Sequence, residues 1–266
     1  MSEPEDKTPA TAPEAGERKT TQINLGEVVN NYLEALQRVH DVVNYTLAAE
    51  RLLNEDEYDE FSRQSRVMPS QKSRMDYHQA KEEMNRWLLK QTLNESLGVL
   101  VLFLDDTRTI STLSSWKSKG GEGDIQKMLQ DERLEFARLD LPGKINYLRE
   151  KHSISSPSEE HILSLYKARR ALATREGTVP EAETTDGNLT VKLRSVQLKT
   201  APSEGNQPGG VFVTSEVGDI VKEFATGSEV RFSKSEHLAI VLTVAFFITS
   251  QAQSLKEFAQ SLGVTK

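Results

Sequence analysis

Apolar residues recur with helical spacing over most of this chain. Residues 23 to about 53 place their apolar side chains on one face of a helix, and a second long pattern begins near residue 73 and extends to about 116. Shorter patterns follow at about 124–138 and 142–151, and the latter opens with Pro142, a residue favoured in a first helical turn. The spacing therefore predicts a helical bundle with long N-terminal helices.

Two segments interrupt this periodicity. Residues 54–60 form a charged run that lacks the glycine and the ligand spacing of a calcium loop, so we interpret it as a solvated connection. Residues 120–123, Gly-Gly-Glu-Gly, end the second long pattern because adjacent glycines lose too much conformational freedom inside a helix. They are not followed by the lysine and hydroxyl of a phosphate-binding loop, which indicates a linker.

The following helix has a clear start signal. Ser156 and Glu159 have capping-box spacing, and Pro157 stands between them at the predicted first helical position. Apolar residues then recur with helical spacing until Gly177, which suits a helix C-cap. We expect His161 to be an exposed residue of the first turn.

After this helix the period changes from 3.6 to 2. Residues 189–198 are a predicted strand preceded by a turn at 186–187, and short apolar pieces at 211–213 and 229–232 are expected to complete a small β element. The last helix is predicted from about 235 to 262, and its central run is apolar on nearly every side, which suits a core or a dimer interface. The predicted fold class is mainly α, with a small β-hairpin-like insertion before the last helix.

The N-terminal residues have a different composition. Residues 1–21 are rich in Pro, Thr, Ala and Glu without apolar periodicity, which predicts a disordered acidic tail. Residues 22–266 are predicted to form a single helical domain, with the Gly-rich linker 119–123 as the candidate sub-boundary. The start of the chain has no basic and apolar signal regions, and the apolar runs fall short of the roughly 20 residues of a membrane span, so we expect a cytoplasmic protein without a membrane partner.

The composition excludes several kinds of binding and catalytic site. The 266 residues carry a formal charge of -7 and a pI near 5.4, which argues against broad nonspecific nucleic-acid binding but allows a local basic pocket. The absence of cysteine excludes disulfides, thiolate zinc sites and a cysteine nucleophile. No histidine pair has helical i, i+4 spacing with acidic support, so we predict no metal site and no cofactor.

The segment 165–179, Leu-Tyr-Lys-Ala-Arg-Arg-Ala-Leu-Ala-Thr-Arg-Glu-Gly-Thr-Val, contains the most informative motif. It resembles the motif region of the HEPN superfamily, in which Arg-x4–6-His lies near the end of a helix. Arg169 matches the motif arginine, Arg170 matches the polar residue beside it, and Thr174 occupies the histidine position. An Arg-x-Gly-x-Val exit begins at Arg175. Arginines near a helix C-terminus also interact favourably with the helix dipole. This interaction alone could explain the two arginines without a functional role.

The resemblance implies a small helical bundle, often a homodimer whose two motifs face each other, with metal-independent ribonuclease chemistry. Threonine is neither an acid nor a base near pH 7, so Thr174 at the histidine position implies an inactive site with Arg169 as the one remaining catalytic candidate. Binding through Arg169, Arg170 and Arg175 would survive this loss.

The resulting hypothesis is a catalytically degenerate HEPN-like protein. It would bind RNA or a nucleotide, or regulate a partner, in a defence, stress or toxin–antitoxin setting. A protein partner could attach through the acidic N-terminal tail. The alternatives are a non-enzymatic helical dimerisation scaffold and an active metal-independent endoribonuclease with a rearranged base.

Two histidines are candidates for such a base. Five residues separate Arg231 from His237, but the pair straddles a predicted strand end and helix start, so we interpret this spacing as coincidental. His161 precedes Arg169 by two helical turns and is the histidine able to approach it within one helix.

Overall fold

The computed structural model describes residues 23–64, 75–173, 177–202 and 211–264, with the backbone alone at 64, 197–202 and 211–214. The predicted tail, residues 1–21, lies outside this part of the chain. The described elements, in chain order, are α1 (Leu25–Glu50), α2 (Glu55–Gln64), α3 (Tyr77–Ser118), α4 (Ile125–Ala137), α5 (Leu141–His152), α6 (Glu159–Ala173), a 3-10 turn (Glu181–Glu183), β1 (Asn188–Pro202), β2 (Val211–Ala225) and α7 (Lys234–Ser261). They confirm the predicted mainly α fold with a small β-hairpin before the last helix.

Local signals set the ends of the longest helix, α3. It begins after Asp76, whose carboxylate accepts a 2.8 Å hydrogen bond from the backbone N–H of Gln79, and the Gln79 side chain accepts from the backbone N–H of Asp76 in return. It ends where Gly120 and Gly121 take φ values of 86° and 71°, a conformation that glycine adopts without steric cost. The predicted break at these glycines is confirmed.

The charged run at 54–60 is not a connection, because most of it belongs to α2. Asn54 and Glu57 form a reciprocal cap, in which Asn54 Oδ1 accepts from the Glu57 N–H at 3.0 Å and Glu57 Oε2 accepts from the Asn54 N–H at 3.3 Å. Acidic residues in the first turn also suit the positive end of the helix dipole. The capping residues therefore allow a helix to form here although the segment lacks apolar periodicity.

Helix α6 begins two residues later than predicted. The backbone N–H of Ser156 does donate to Glu159 Oε1 at 3.2 Å, as in a capping box, but Pro157 and Ser158 form a turn ahead of Glu159. His161 is buried rather than exposed, with 5% of its surface accessible. Its Nε2 lies 3.3 Å from a carboxylate oxygen of Asp219, because the β-hairpin covers this turn of α6.

The β-hairpin is larger than the pattern indicated. It follows the predicted turn at Asp186 and Gly187, which take φ values of 53° and 79°. Its two strands pair antiparallel from Asn188↔Ala225 to Pro202↔Val211. Residues 229–232 are not part of either strand. The second strand was underestimated because its many polar residues pair through the backbone with β1, which no local apolar signal reveals.

Helix α7 lies in the core and contacts α1, α3, α6 and β1. Its residues Ile240, Val244, Phe247 and Ile248 are fully buried within this single chain. By length and composition α7 is also the one described helix that could cross a membrane, yet 56% of its most apolar stretch is buried inside the protein. The apolar run at 238–248 therefore forms part of the chain's own core.

Candidate functional site

The two motif arginines that the structure describes have different partners. Arg169 is half-buried on α6, and its Nε donates to Asn94 Oδ1 on α3 at 2.8 Å. Arg170 is exposed, and its Nε lies 2.9 Å from Glu183 Oε1 on the 3-10 turn. Each guanidinium thus links α6 to a neighbouring element.

The other two motif positions, Thr174 and Arg175, lie outside the described residues. Beyond them, Gly177 has a φ of 86°. Its carbonyl accepts from the Val230 N–H at 3.0 Å, and the Val179 N–H donates to the Ser228 carbonyl at 2.8 Å. The motif exit is therefore held against the segment that leads into α7.

A cleft opens beside Gly177. The Arg86 side chain of α3 approaches within 4.0 Å of the position that a Cβ at Gly177 would take. The cleft has a volume of about 270 Å³ and is lined from α3, from the segment before α7 and from the first turn of α7. We call it the α3–α7 cleft; its lining residues are Glu82, Asn85, Arg86, Leu89, Glu229, Val230, Arg231, Phe232, Ser233, Lys234 and His237.

Glu229 holds two arginines at the cleft. One of its carboxylate oxygens accepts from Arg86 Nε at 2.8 Å, and the other accepts from Arg231 at 2.8 Å from Nε and 2.6 Å from Nη2. Arg86 also contacts Glu83 through Nη1. Burial alone would raise the pKa of Glu229, but the hydrogen bonds from Arg231 and Arg86 outweigh it and the net shift is downward. Glu229 is therefore charged at neutral pH and orients both guanidinium groups.

Lys234, the third cation of the cleft, is bound by Glu50 of α1. Its Nζ lies 2.6 Å from Glu50 Oε2, and Lys81 Nζ lies 3.3 Å from Glu50 Oε1. The Glu50 side chain is only 5% exposed. Burial would raise its pKa, but the hydrogen bonds from Lys234 and Lys81 produce a net lowering. A charged, buried carboxylate thus fixes Lys234 at the mouth of the cleft.

His237 lies at the buried side of the cleft, with 4% of its surface accessible. Its Nδ1 lies 3.3 Å from Thr92 Oγ1, and that hydroxyl also lies 2.8 Å from the Leu88 carbonyl, to which it donates. A hydroxyl has one hydrogen to donate, so the bond to His237 requires a proton on Nδ1. Nε2 is then the unprotonated nitrogen, and it has no hydrogen-bond partner among the described residues.

Burial also controls the charge of this imidazole. Desolvation lowers the pKa of His237, and the neighbouring Glu236 carboxylate opposes this only in part. The ring is therefore neutral at pH 7. A neutral imidazole with a free Nε2 can accept a proton or a hydrogen bond from a ligand in the cleft.

Arg231 and His237, whose Arg-x5-His spacing we interpreted as coincidental, lie in the same cleft. Both Arg231 and His237 line the α3–α7 cleft. The strand predicted at 229–232 separated the pair from α7, so the sequence did not indicate that the two residues lie close together. Arg86 and Lys234 had no comparable signal, since they reach the cleft only through long-range packing.

Within the residues that the structure describes, no three His, Asp or Glu side chains are grouped so that they could hold a metal ion. Comparison of the chain with protein-family models, with curated proteins and with solved structures gives no match.

Proposed function

We propose that this protein binds RNA through the α3–α7 cleft without cleaving it, as a catalytically degenerate HEPN-like protein. The observation that supports the proposal most directly is the convergence of Arg86, Arg231 and Lys234 around one cleft of an otherwise acidic chain. Phosphate binding requires such a local concentration of cationic donors.

The hydrogen-bond geometry supports the same role. A guanidinium has five N–H donors in a fixed plane. Glu229 takes the Nε donor of Arg86 and one edge of Arg231. Glu83 accepts from Arg86 Nη1, whereas both N–H groups of Arg86 Nη2 have no acceptor within the described part of the chain. A phosphate can therefore bind while Glu229 keeps both groups oriented.

The first turn of α7 adds to this environment. The backbone N–H groups at a helix N-terminus carry partial positive charge and bind phosphates in many proteins. Ser233, the N-cap of α7, and Lys234, its first residue, both line the cleft. The Glu236 side chain accepts from the Ser233 N–H at 2.5 Å and so holds this turn in place.

Fluorescence anisotropy with a labelled single-stranded RNA 12-mer tests the proposal. We expect binding that weakens with salt, and we expect Arg231→Gln to weaken it and to reduce the salt slope by about 0.7, the value for one lost phosphate contact on a single strand. Arg138→Gln is the matched control, because it removes the same charge at an exposed position at the end of α4. The proposal is wrong if the RNA does not bind, or if both variants weaken binding equally.

A metal-independent endoribonuclease is the second candidate. The observation that favours it is that His237, whose Nδ1 lies 3.3 Å from Thr92 Oγ1, lines the same cleft as Arg231. Its imidazole could remove the proton from a ribose 2′-hydroxyl while the guanidinium stabilises the charge that develops on the phosphate.

A further inference from the structure

A second cavity lies next to the α3–α7 cleft. It has a volume of about 190 Å³, and its walls come from the end of α1, from α2 and from the first two turns of α3. We call it the tyrosine pocket; its apolar walls are Leu53, Tyr58, Tyr77, Ala80 and Met84. Glu50 and Lys81 complete its lining.

The two cavities share a single dividing wall. Lys234 lines the cleft, Glu50 lines the tyrosine pocket, and their side chains are 2.6 Å apart. Lys81 lines the tyrosine pocket and binds the other oxygen of Glu50. A ligand group beside Lys234 is therefore separated from the tyrosine pocket only by the side chain of Glu50.

Tyr58 and Tyr77 form the aromatic walls of this pocket. Their ring centroids are 6.1 Å apart and the ring planes are inclined by 57°. The Tyr77 hydroxyl donates to the Leu53 carbonyl at 2.8 Å, and the Tyr58 hydroxyl donates to the Met75 carbonyl at 3.0 Å. Both hydroxyls thus donate to backbone carbonyls, and the two rings supply the aromatic part of the pocket's lining.

The size of the cavities suggests one ligand with two parts. Pockets for drug-sized ligands typically measure roughly 300–1,000 Å³, and each cavity here is smaller, at about 270 and 190 Å³. One cavity has three cations in its lining, each paired with a carboxylate. The other is aromatic, with Lys81 Nζ 5.9 Å from the Tyr77 ring centroid. A phosphate joined to a flat aromatic group matches this pair of environments.

We infer that the tyrosine pocket is a base-binding subsite, which takes one nucleobase of an RNA strand whose phosphate lies in the α3–α7 cleft. The inference rests on the RNA-binding function proposed above. Stacking of a base on an aromatic side chain tolerates any base, because every base has a π face. The subsite therefore confers a requirement for an unpaired base rather than for a particular sequence.

Competition binding with two unlabelled probes tests the subsite: an oligo-adenylate RNA 12-mer and a ribose-phosphate 12-mer without bases. The wild type is expected to bind oligo-adenylate roughly 5- to 150-fold more tightly, the range for a single base stacked on an aromatic side chain. Tyr77→Leu should remove this preference and leave the salt-dependent affinity for the abasic chain unchanged. Tyr77→Phe, which keeps the ring, should retain the preference.

A second variant tests the subsite without changing either tyrosine. Ala80→Trp fills the tyrosine pocket and keeps both rings, so it too should remove the preference while abasic binding persists. Unchanged abasic affinity shows that each variant is folded. Equal wild-type affinity for the two probes, or a preference that survives both Tyr77→Leu and Ala80→Trp, overturns the subsite but leaves RNA binding intact. Failure of the wild type to bind either probe overturns the proposed function as well.

Discussion

Lys234 Nζ lies 2.6 Å from Glu50 Oε2 and so joins the start of the last helix to the end of the first, across 184 positions of sequence. The pair does two things at once. It neutralises a carboxylate whose side chain is 5% exposed, and it forms the wall between the α3–α7 cleft and the tyrosine pocket.

Lys234→Met should destabilise the fold. It leaves Glu50 with Lys81 alone, and a buried charged group that loses a hydrogen-bond partner costs about 1–3 kcal/mol. Urea unfolding followed by circular dichroism measures the change. Arg63→Met is the control, because the Arg63–Asp59 pair is exposed at 3.4 Å and such pairs contribute at most about 1 kcal/mol. Equal losses in the two variants would contradict the role given to Glu50.

Stability should decrease between pH 7.5 and pH 5.5. Burial lowers the pKa of both His237 and His152 below the value of 6.5 that an unfolded histidine has. As the pH falls through 6.5, the unfolded chain takes up protons that the folded chain does not, so the folded state loses stability.

Thermal unfolding across this pH range measures the effect. His237→Gln and His152→Gln, combined in one chain, should flatten the dependence, because neither glutamine titrates. A profile as steep as that of the wild type would show that other groups cause it.

Gln251→Met should stabilise the protein. Gln251 is 0% exposed, and neither its Oε1 nor its Nε2 has a hydrogen-bond partner among the described residues. Methionine has a similar volume and removes this unsatisfied amide, so we expect the free energy of unfolding to rise by about 1–3 kcal/mol. Gln253→Met, at an exposed position of the same helix, should change it by less than about 0.5 kcal/mol. A loss of stability in Gln251→Met would mean that the amide has a bonding role.

The reciprocal cap of α2 can be tested by itself. Asn54→Ala removes the side chain that accepts from the Glu57 N–H and should cost about 1 kcal/mol. Because α2 packs mainly against α3 among the described elements, the effect should appear as faster amide hydrogen exchange in residues 55–64. Asn54→Ser, which can still accept this bond, should keep exchange close to the wild-type rate. Similar exchange in both variants would contradict the cap.

RNA cleavage in EDTA distinguishes the two candidate functions. We expect no cleavage by the wild type or by Arg169→Ala, since threonine at position 174 cannot supply the roughly 10²–10⁴-fold contribution of general acid–base transfer. Activity in Thr174→His would indicate a HEPN-like site that lacks only its base. Wild-type cleavage that disappears in His237→Ala would instead establish the endoribonuclease with a rearranged base.

Much of the secondary structure was predictable because its signals are local. The cap at Asp76, the break at Gly120 and the turn at Asp186 each act within a few residues. The cap at Asn54 is equally local, but we predicted a connection at residues 54–60 because the segment is highly charged. The functional role of the motif at Arg169 remains a prediction. The structure shows that the Arg169 side chain donates a hydrogen bond to Asn94.

By itself the sequence determined most of the helical segments, though not α2, and that the fold is mainly α. Only the tertiary structure decided that Arg86, Arg231 and His237 share a cleft and that Glu50 connects it to the tyrosine pocket. The physical reason is the range of the interactions. Caps, turns and helical periodicity depend on neighbours along the chain, whereas the cleft depends on how α1, α3 and α7 pack once their apolar faces are buried together.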